Sequence, residues 1–133
     1  IPDVKNVATM NVKSDTKERF TVITPQEASL SVIMTEELRN LLLPYLQKDI
    51  PHIVLNLSAV SRIDPEAATV IAGIQQEFYA ANQSCVLCCL QPDVEKVFGA
   101  ADLLDTMNIT PSESEAWDIV QMEEIEREFL RDE

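Results

Sequence analysis
Between His52 and Phe78 the hydrophobic pattern changes period, and that change limits the folds open to the chain. Ile53 to Leu57 is a short apolar run interrupted only by Asn56. Its length and β-branched content suit a strand buried on both faces, as in a parallel sheet. After a short loop, Asp64-Pro65-Glu66 opens a helix. The Asp64 carboxylate can accept a hydrogen bond from an otherwise unpaired backbone N–H. Pro65 fits the first helical position, where its missing N–H costs nothing, and Glu66 puts negative charge at the positive end of the helix dipole. Ala67, Val70, Ile71, Ile74 and Phe78 then recur on one face at helical spacing. Such a unit presents a helix N-terminus at the carboxyl end of a strand, where open α/β sheets build their sites.

The flanking sequence extends the same logic. An edge strand is expected within Ile1 to Val12, where Val4, Val7, Met10 and Val12 are apolar. Ser14 to Glu18 reads as a charged turn, and Phe20 to Thr24 as a second strand stopped by Pro25, so the two strands suggest an opening hairpin. Gln26 to Met34 fits neither period. Thr35 can cap a helix with Glu36 and Glu37 in its first turn and Leu38, Leu41, Leu42, Tyr45 and Leu46 on its buried face. Pro44 should interrupt that helix, because it removes a backbone bond to the preceding turn.

Downstream, Cys85 to Leu90 is a continuous apolar run of strand length, predicted to neighbour Ile53–Leu57 inside a mostly parallel sheet. Gln91-Pro92-Asp93 starts a short helix carrying Val94, Val97 and Phe98, with Gly99 as its stop. Leu103, Leu104, Met107 and Ile109 supply a last extended piece. Ser112 and Glu115 make a capping box for an acidic C-terminal helix over about residues 112–130, with Trp117, Val120, Met122, Ile125 and Phe129 as its apolar stripe. A helix of that length either packs back on the sheet or offers its end to another chain, a second copy included. The alternation implies one α/β domain over residues 1–133, with about four helices and an antiparallel edge strand.

Charge narrows the function classes. Ten basic against 23 acidic side chains leave a net charge of −13. A field of that sign repels nucleic-acid phosphates and anionic lipid. No apolar run approaches the ~20 residues of a membrane span, and no signal-peptide pattern is present. Beginning on Ile1 rather than Met, the chain reads as trimmed or as a domain cut from something longer.

The pattern from His52 to Trp117 resembles the STAS domain family, the sulfate-transporter and anti-sigma-factor-antagonist fold. The resemblance lies in residues 53–64 with their closing Asp64, in the apolar helix that follows, in Leu90 to Phe98, and in the run from Leu103-Leu104 to Ala116. It implies a non-catalytic protein–protein interaction module similar to bacterial anti-sigma factor antagonists. Its partner would be an anti-sigma factor or related serine kinase, bound through Ser61, Arg62, Asp64, Pro65, Glu66 and Thr69. A cytosolic STAS regulatory subunit or domain of a membrane transporter is the alternative; a small enzyme or ligand carrier is a third class. In switchable antagonists of the family, the residue after the Asp is a Ser or Thr that the partner kinase phosphorylates. Here that residue is Pro65, without a hydroxyl, and Glu66 carries less charge than the roughly −1.5 to −2 of a phosphoserine. Ser61 and Thr69 are the nearest hydroxyls.

Each of these residues also has a purely structural explanation. Helix capping accounts for Asp64, Pro65 and Glu66; Arg62 can be a solvated loop charge. Strand alternation sets Cys85 and Cys89 on one side and Cys88 on the other, so the three cannot converge on a metal ion and should stay reduced. No cofactor is expected, and unpaired thiols favour a reducing cytosol. The lone His52 lacks an obvious nucleophile, and Gly73 and Gly99 cannot build a phosphate loop.

Overall fold
In the computed structural model, which describes residues 10–131, the opening hairpin consists of β1 (Val12–Thr16) and β2 (Thr21–Pro25), paired antiparallel. The turn comes later than the sequence suggests, closed by the Lys17 N–H donating to the Phe20 carbonyl at 2.8 Å. The polar run Lys13-Ser14-Asp15 is strand, because β1 is an edge whose residues face water and need no apolar pattern. The expected contributions of Val4 and Val7 lie outside the described residues.

The ambiguous segment resolves into β3 (Ser29–Leu30) and the start of helix α1 (Val32–Leu42). Ser31 caps this helix, its Oγ accepting from the Met34 N–H at 3.4 Å. Thr35 is therefore not the cap: it lies one turn inside, buried, with its hydroxyl donating to the Val32 carbonyl at 2.8 Å. Leu38 and Leu42 are buried as expected, whereas Leu41 is exposed, against expectation. Pro44 does end the α-helix, and Leu43–Gln47 continues as a 3₁₀ turn.

Next come β4 (Ile53–Asn56), β5 (Arg62–Ile63), α2 (Pro65–Ala80), β6 (Cys85–Cys88), α3 (Pro92–Ala100), β7 (Ile109–Thr110) and α4 (Glu113–Arg131). The five-stranded sheet has the order β1-β2-β4-β6-β7, and every pair beyond the first hairpin is parallel. As the apolar runs predict, β4 and β6 are neighbours in its interior. Alternation divides their side chains between two cores. Ile53, Leu55, Cys85 and Leu87 face the side covered by α1, α2 and α3, whereas Val54, Val86 and Cys88 meet Ala116 and Val120 of α4. Trp117 stacks on Phe20 with ring centroids 4.7 Å apart.

Two helix ends depart from the sequence reading. Gly99 does not stop α3; the left-handed residue is Asp102, at φ 59°. The Asp102 and Leu103 N–H groups return to the carbonyls of Gly99 and Phe98, which closes the helix as a Schellman turn. At Gly99 the Leu104 side chain packs close, so that a Cβ there would sit 3.2 Å from Leu104 Cδ1. The chain beyond it turns, and only Ile109–Thr110 of the expected extended piece is strand. The cysteines also separate differently. Cys89 has φ 64°, which breaks the alternation, so it packs on the same core as Cys88 while Cys85 faces the other. Among the described residues no group of three metal-ligating side chains comes together. Burial pushes the Cys85 thiol up to about 12 and raises that of Cys88, whereas Cys89 is partly exposed. A thiol reagent should therefore titrate one cysteine quickly in the native protein and all three only after unfolding. Fewer than three in denaturant would reveal a disulfide.

Helix α4 runs from the carboxyl end of β4, where Asn56 Nδ2 donates to Glu113 at 2.7 Å, to its amino end, where His52 meets Glu124 at 3.0 Å. Ser112 caps it, accepting from the Glu115 N–H at 3.3 Å and donating its hydroxyl to the Glu115 carboxylate at 2.9 Å. Beyond Val120 the expected apolar stripe does not pack on the sheet. The inward positions are Glu123, Glu124 and Arg127, and Met122, Ile125 and Phe129 face outward. Glu123 accepts from Ser84 Oγ at 2.6 Å, Tyr79 Oη at 2.8 Å and Asn108 Nδ2 at 3.2 Å.

His52 is only 6% exposed, and its Nδ1 accepts from the Ser84 N–H at 3.0 Å. That bond leaves Nε2 as the protonated nitrogen, which donates to Glu124. Desolvation lowers the His52 pKa, with Arg127 adding to the effect and the Glu124 and Glu123 charges opposing it. The unfolded chain, with a histidine near ~6.5, therefore takes up a proton before the folded one does. Stability should fall as pH drops below ~6.5, at up to ~1.4 kcal/mol per pH unit until the folded value is passed. Urea melts at stepped pH should show this slope, and His52→Gln should flatten it.

Candidate functional site
The loop between β4 and α2 is held from several sides before it reaches the helix. Asn56 Oδ1 accepts from the Ser58 N–H at 2.9 Å, and Gln91 Nε2 donates to the Ser58 carbonyl at 2.8 Å. The Ala28 carbonyl accepts from the Ser61 and Arg62 N–H groups at 2.8 and 3.0 Å and from Ser61 Oγ at 3.1 Å. Leu30 and Ile63 then pair in the small parallel ladder of β3 and β5, which ends with the Asp64 N–H donating to the Leu30 carbonyl. Buried Ile63 anchors this segment, and buried Ala67 and Ala68 seat the first turn of α2 against the core. The backbone carrying the candidate residues is thus fixed by ladder bonds and packing.

All six candidate residues, Ser61, Arg62, Asp64, Pro65, Glu66 and Thr69, are exposed and form one continuous rim at the carboxyl end of β4. Asp64 occupies the cap position with an extended backbone, at φ −73° and ψ 145°. Its carboxylate makes no cap hydrogen bond, contrary to the sequence expectation; Asp64 is held through its backbone, the N–H by the Leu30 carbonyl and the carbonyl by the Ala68 N–H at 3.0 Å. Capping therefore does not occupy this side chain, and its charge faces water beside that of Glu66. No ion pair among the described residues involves Arg62, Asp64 or Glu66. The hydroxyls are committed locally: Ser61 to Ala28, and Thr69 to the Pro65 carbonyl at 3.3 Å.

One part of the surface has no counterpart in the sequence reading. A shallow apolar hollow of about 240 Å³ lies between Pro65 and α3, lined by Lys96, Val97, Ala100 and Ala101. Helical spacing in α3 could have suggested a face, but not that Pro65 would stand against it. The rim thus combines two free carboxylates, a guanidinium, an ammonium and an apolar notch, on a fixed backbone. Such a surface suits contact with another protein.

A family model and several solved structures match this architecture. A family model described as the STAS domain matches residues 11–116. A protein of Thermotoga maritima described as a candidate anti-sigma factor antagonist superposes with a TM-score of 0.74 at 22% identity, over 83% of this chain and 94% of its own. SpoIIAA, a Bacillus anti-sigma factor antagonist in its unphosphorylated form, gives 0.65 at 22% identity, over 84% of this chain and 96% of its own. The murine anion transporter Slc26a9 gives 0.70 at 14% identity, over 91% of this chain and 24% of its own.

Proposed function
The chain belongs to the STAS domain family, and from that premise we propose a non-catalytic, cytoplasmic module that binds an anti-sigma factor or serine-kinase-like protein. The contact is the rim from Ser61 to Thr69. The observation that carries this reading is the free Asp64 carboxylate, which heads α2 with its charge unspent on the helix it caps. Similarity to anti-sigma factor antagonists supports the partner class.

The same resemblance aligns Pro65 with the hydroxyl residue that switchable members phosphorylate. Binding here is then constitutive: Pro65 offers no acceptor, and the hydroxyls of Ser61 and Thr69 are spent on backbone carbonyls. The test is to incubate the chain with its affinity-captured partner and ATP, then map phosphate by mass spectrometry. An unmodified chain that stays bound is the expected result. Phosphate on Ser61 or Thr69 would restore the switch and overturn the constitutive reading.

A second reading, a regulatory STAS subunit or domain of a membrane transporter, is favoured by the match to Slc26a9 over 91% of this chain. No helix among the described residues is long and apolar enough to cross a membrane. Co-purification with a permease, in place of a kinase-like protein, would select this reading.

A further inference from the structure
Down the axis of α4, at about 100° per residue, Ala116, Val120, Glu123, Glu124 and Arg127 share the face turned to the protein. The opposite face carries Met122, Ile125 and Phe129, which are 62%, 66% and 70% exposed. Hydrophobic burial alone would rotate this half of the helix the other way. Its rotation follows from the buried Ala116 and Val120 in the first half of the helix and is held in the second by polar bonds: Glu123 holds Ser84, Tyr79 and Asn108, and Glu124 holds His52. The same bonds therefore fix an apolar stripe in water, at the i, i+3, i+7 spacing by which one helix packs along another.

We propose that this outward stripe of α4 is a docking surface for a basic amphipathic helix of a second partner protein. Charge selects the occupant. The exposed charges bordering the stripe are Glu126 and Glu128, and Asp118 stands on the same face one turn before Met122. A helix with an apolar seam flanked by Lys or Arg meets these acids favourably. A second copy would bring acid against acid in either orientation, within two chains that each carry −13. The surface is independent of the Ser61–Thr69 rim: that rim sits at the carboxyl end of β4, whereas Glu124 marks the amino end.

The probe is a synthetic amphipathic helix with a leucine seam and lysine flanks, titrated into isotope-labelled protein and followed by NMR. Amide and methyl shifts should concentrate on residues 121–130. Ile125→Glu and Phe129→Glu should each weaken binding about tenfold or more, a change of ~1.4 kcal/mol. Both residues are exposed, so the unperturbed spectrum of the remaining chain verifies that the variants are folded. A peptide with the same seam and glutamate flanks should not bind, and Glu66→Arg should leave the lysine peptide's affinity unchanged. Shifts mapping elsewhere, equal binding by either Glu variant, or equal binding by the glutamate-flanked peptide would overturn the proposal. So would sedimentation showing that the free protein is already a dimer that Ile125→Glu dissolves.

Discussion

Glu66→Arg should weaken the captured partner's affinity about tenfold or more while leaving the fold nearly as stable as before. Glu66 is exposed in the first turn of α2, and no hydrogen bond or ion pair among the described residues engages it. Its intramolecular role is confined to the helix dipole, worth ~0.3–1 kcal/mol for a charge at an exposed terminus. Reversal removes that favourable charge and substitutes an unfavourable one, so the stability loss stays near ~1 kcal/mol. At the centre of a charged contact the balance differs. Close charge pairs across protein interfaces couple by ~1.5–7 kcal/mol, and reversal turns such an attraction into repulsion beside a desolvated neighbour. Calorimetric titration of the partner, alongside a thermal melt of the free variant, separates the two effects. A variant that melts normally and binds as tightly as the parent would place the contact elsewhere. The second reading could survive that outcome; the rim could not.

The parts of the fold legible in the sequence are those where burial imposes a pattern. Ile53–Leu57 and Cys85–Leu90 read as interior strands because a strand covered on both faces admits almost no polar residue. Pro65 and Pro92 mark helix starts because their φ angle and missing N–H suit few other places. What escapes lies where water or a second bond relaxes the pattern. Edge strand β1 is polar because its residues face solvent, so Ser14 and Asp15 read as a turn. Thr35 reads as the cap, but Ser31 takes that place because the helix starts a turn earlier, inside the segment whose pattern fits neither period. The left-handed residue after α3 is Asp102, while Gly99 serves packing against Leu104.

At the candidate site the positions are readable, but their relations are not. Sequence puts Asp64 at the cap, yet not with its carboxylate free. It does not foretell the Ala28 carbonyl gathering the loop from 33 residues away, as the Ser61 hydroxyl bond does. The largest divergence concerns α4, whose apolar stripe has the spacing of a buried face and lies exposed. Its second half is held by Ser84, Tyr79, Asn108 and His52, residues that meet Glu123 and Glu124 only once the chain has folded.

Phe78→Ala, on the same helix as Glu66, should do the reverse: lower stability by ~3–5 kcal/mol and spare the chemistry of the rim. Phe78 is fully buried, in the core beneath the sheet face that α1, α2 and α3 cover. Truncation forfeits the transfer energy of the ring and leaves a cavity in the core cluster that also holds Ile71, Ile74 and Cys85, where close packing limits collapse. The site of the loss matters as well. The Phe78 carbonyl receives the Gln83 N–H at 2.8 Å in the turn that closes α2, with Asn82 at φ 62°, and that turn leads into Ser84 and β6. A cavity here loosens the helix end and the strand entry together. Since a domain holds only ~5–15 kcal/mol in total, the variant should unfold at markedly lower urea with an unchanged m-value. Below that midpoint the rim should keep its partner affinity, because Asp64 and Glu66 are positioned by the β3–β5 ladder and by Ala67 and Ala68, not by the far end of the helix. A loss under ~1 kcal/mol would mean that the core repacks around the truncated side chain more freely than its density allows. Loss of binding by protein still folded would mean that α2 transmits strain along its length, so that the rim could no longer be treated as a surface fixed only from its own side.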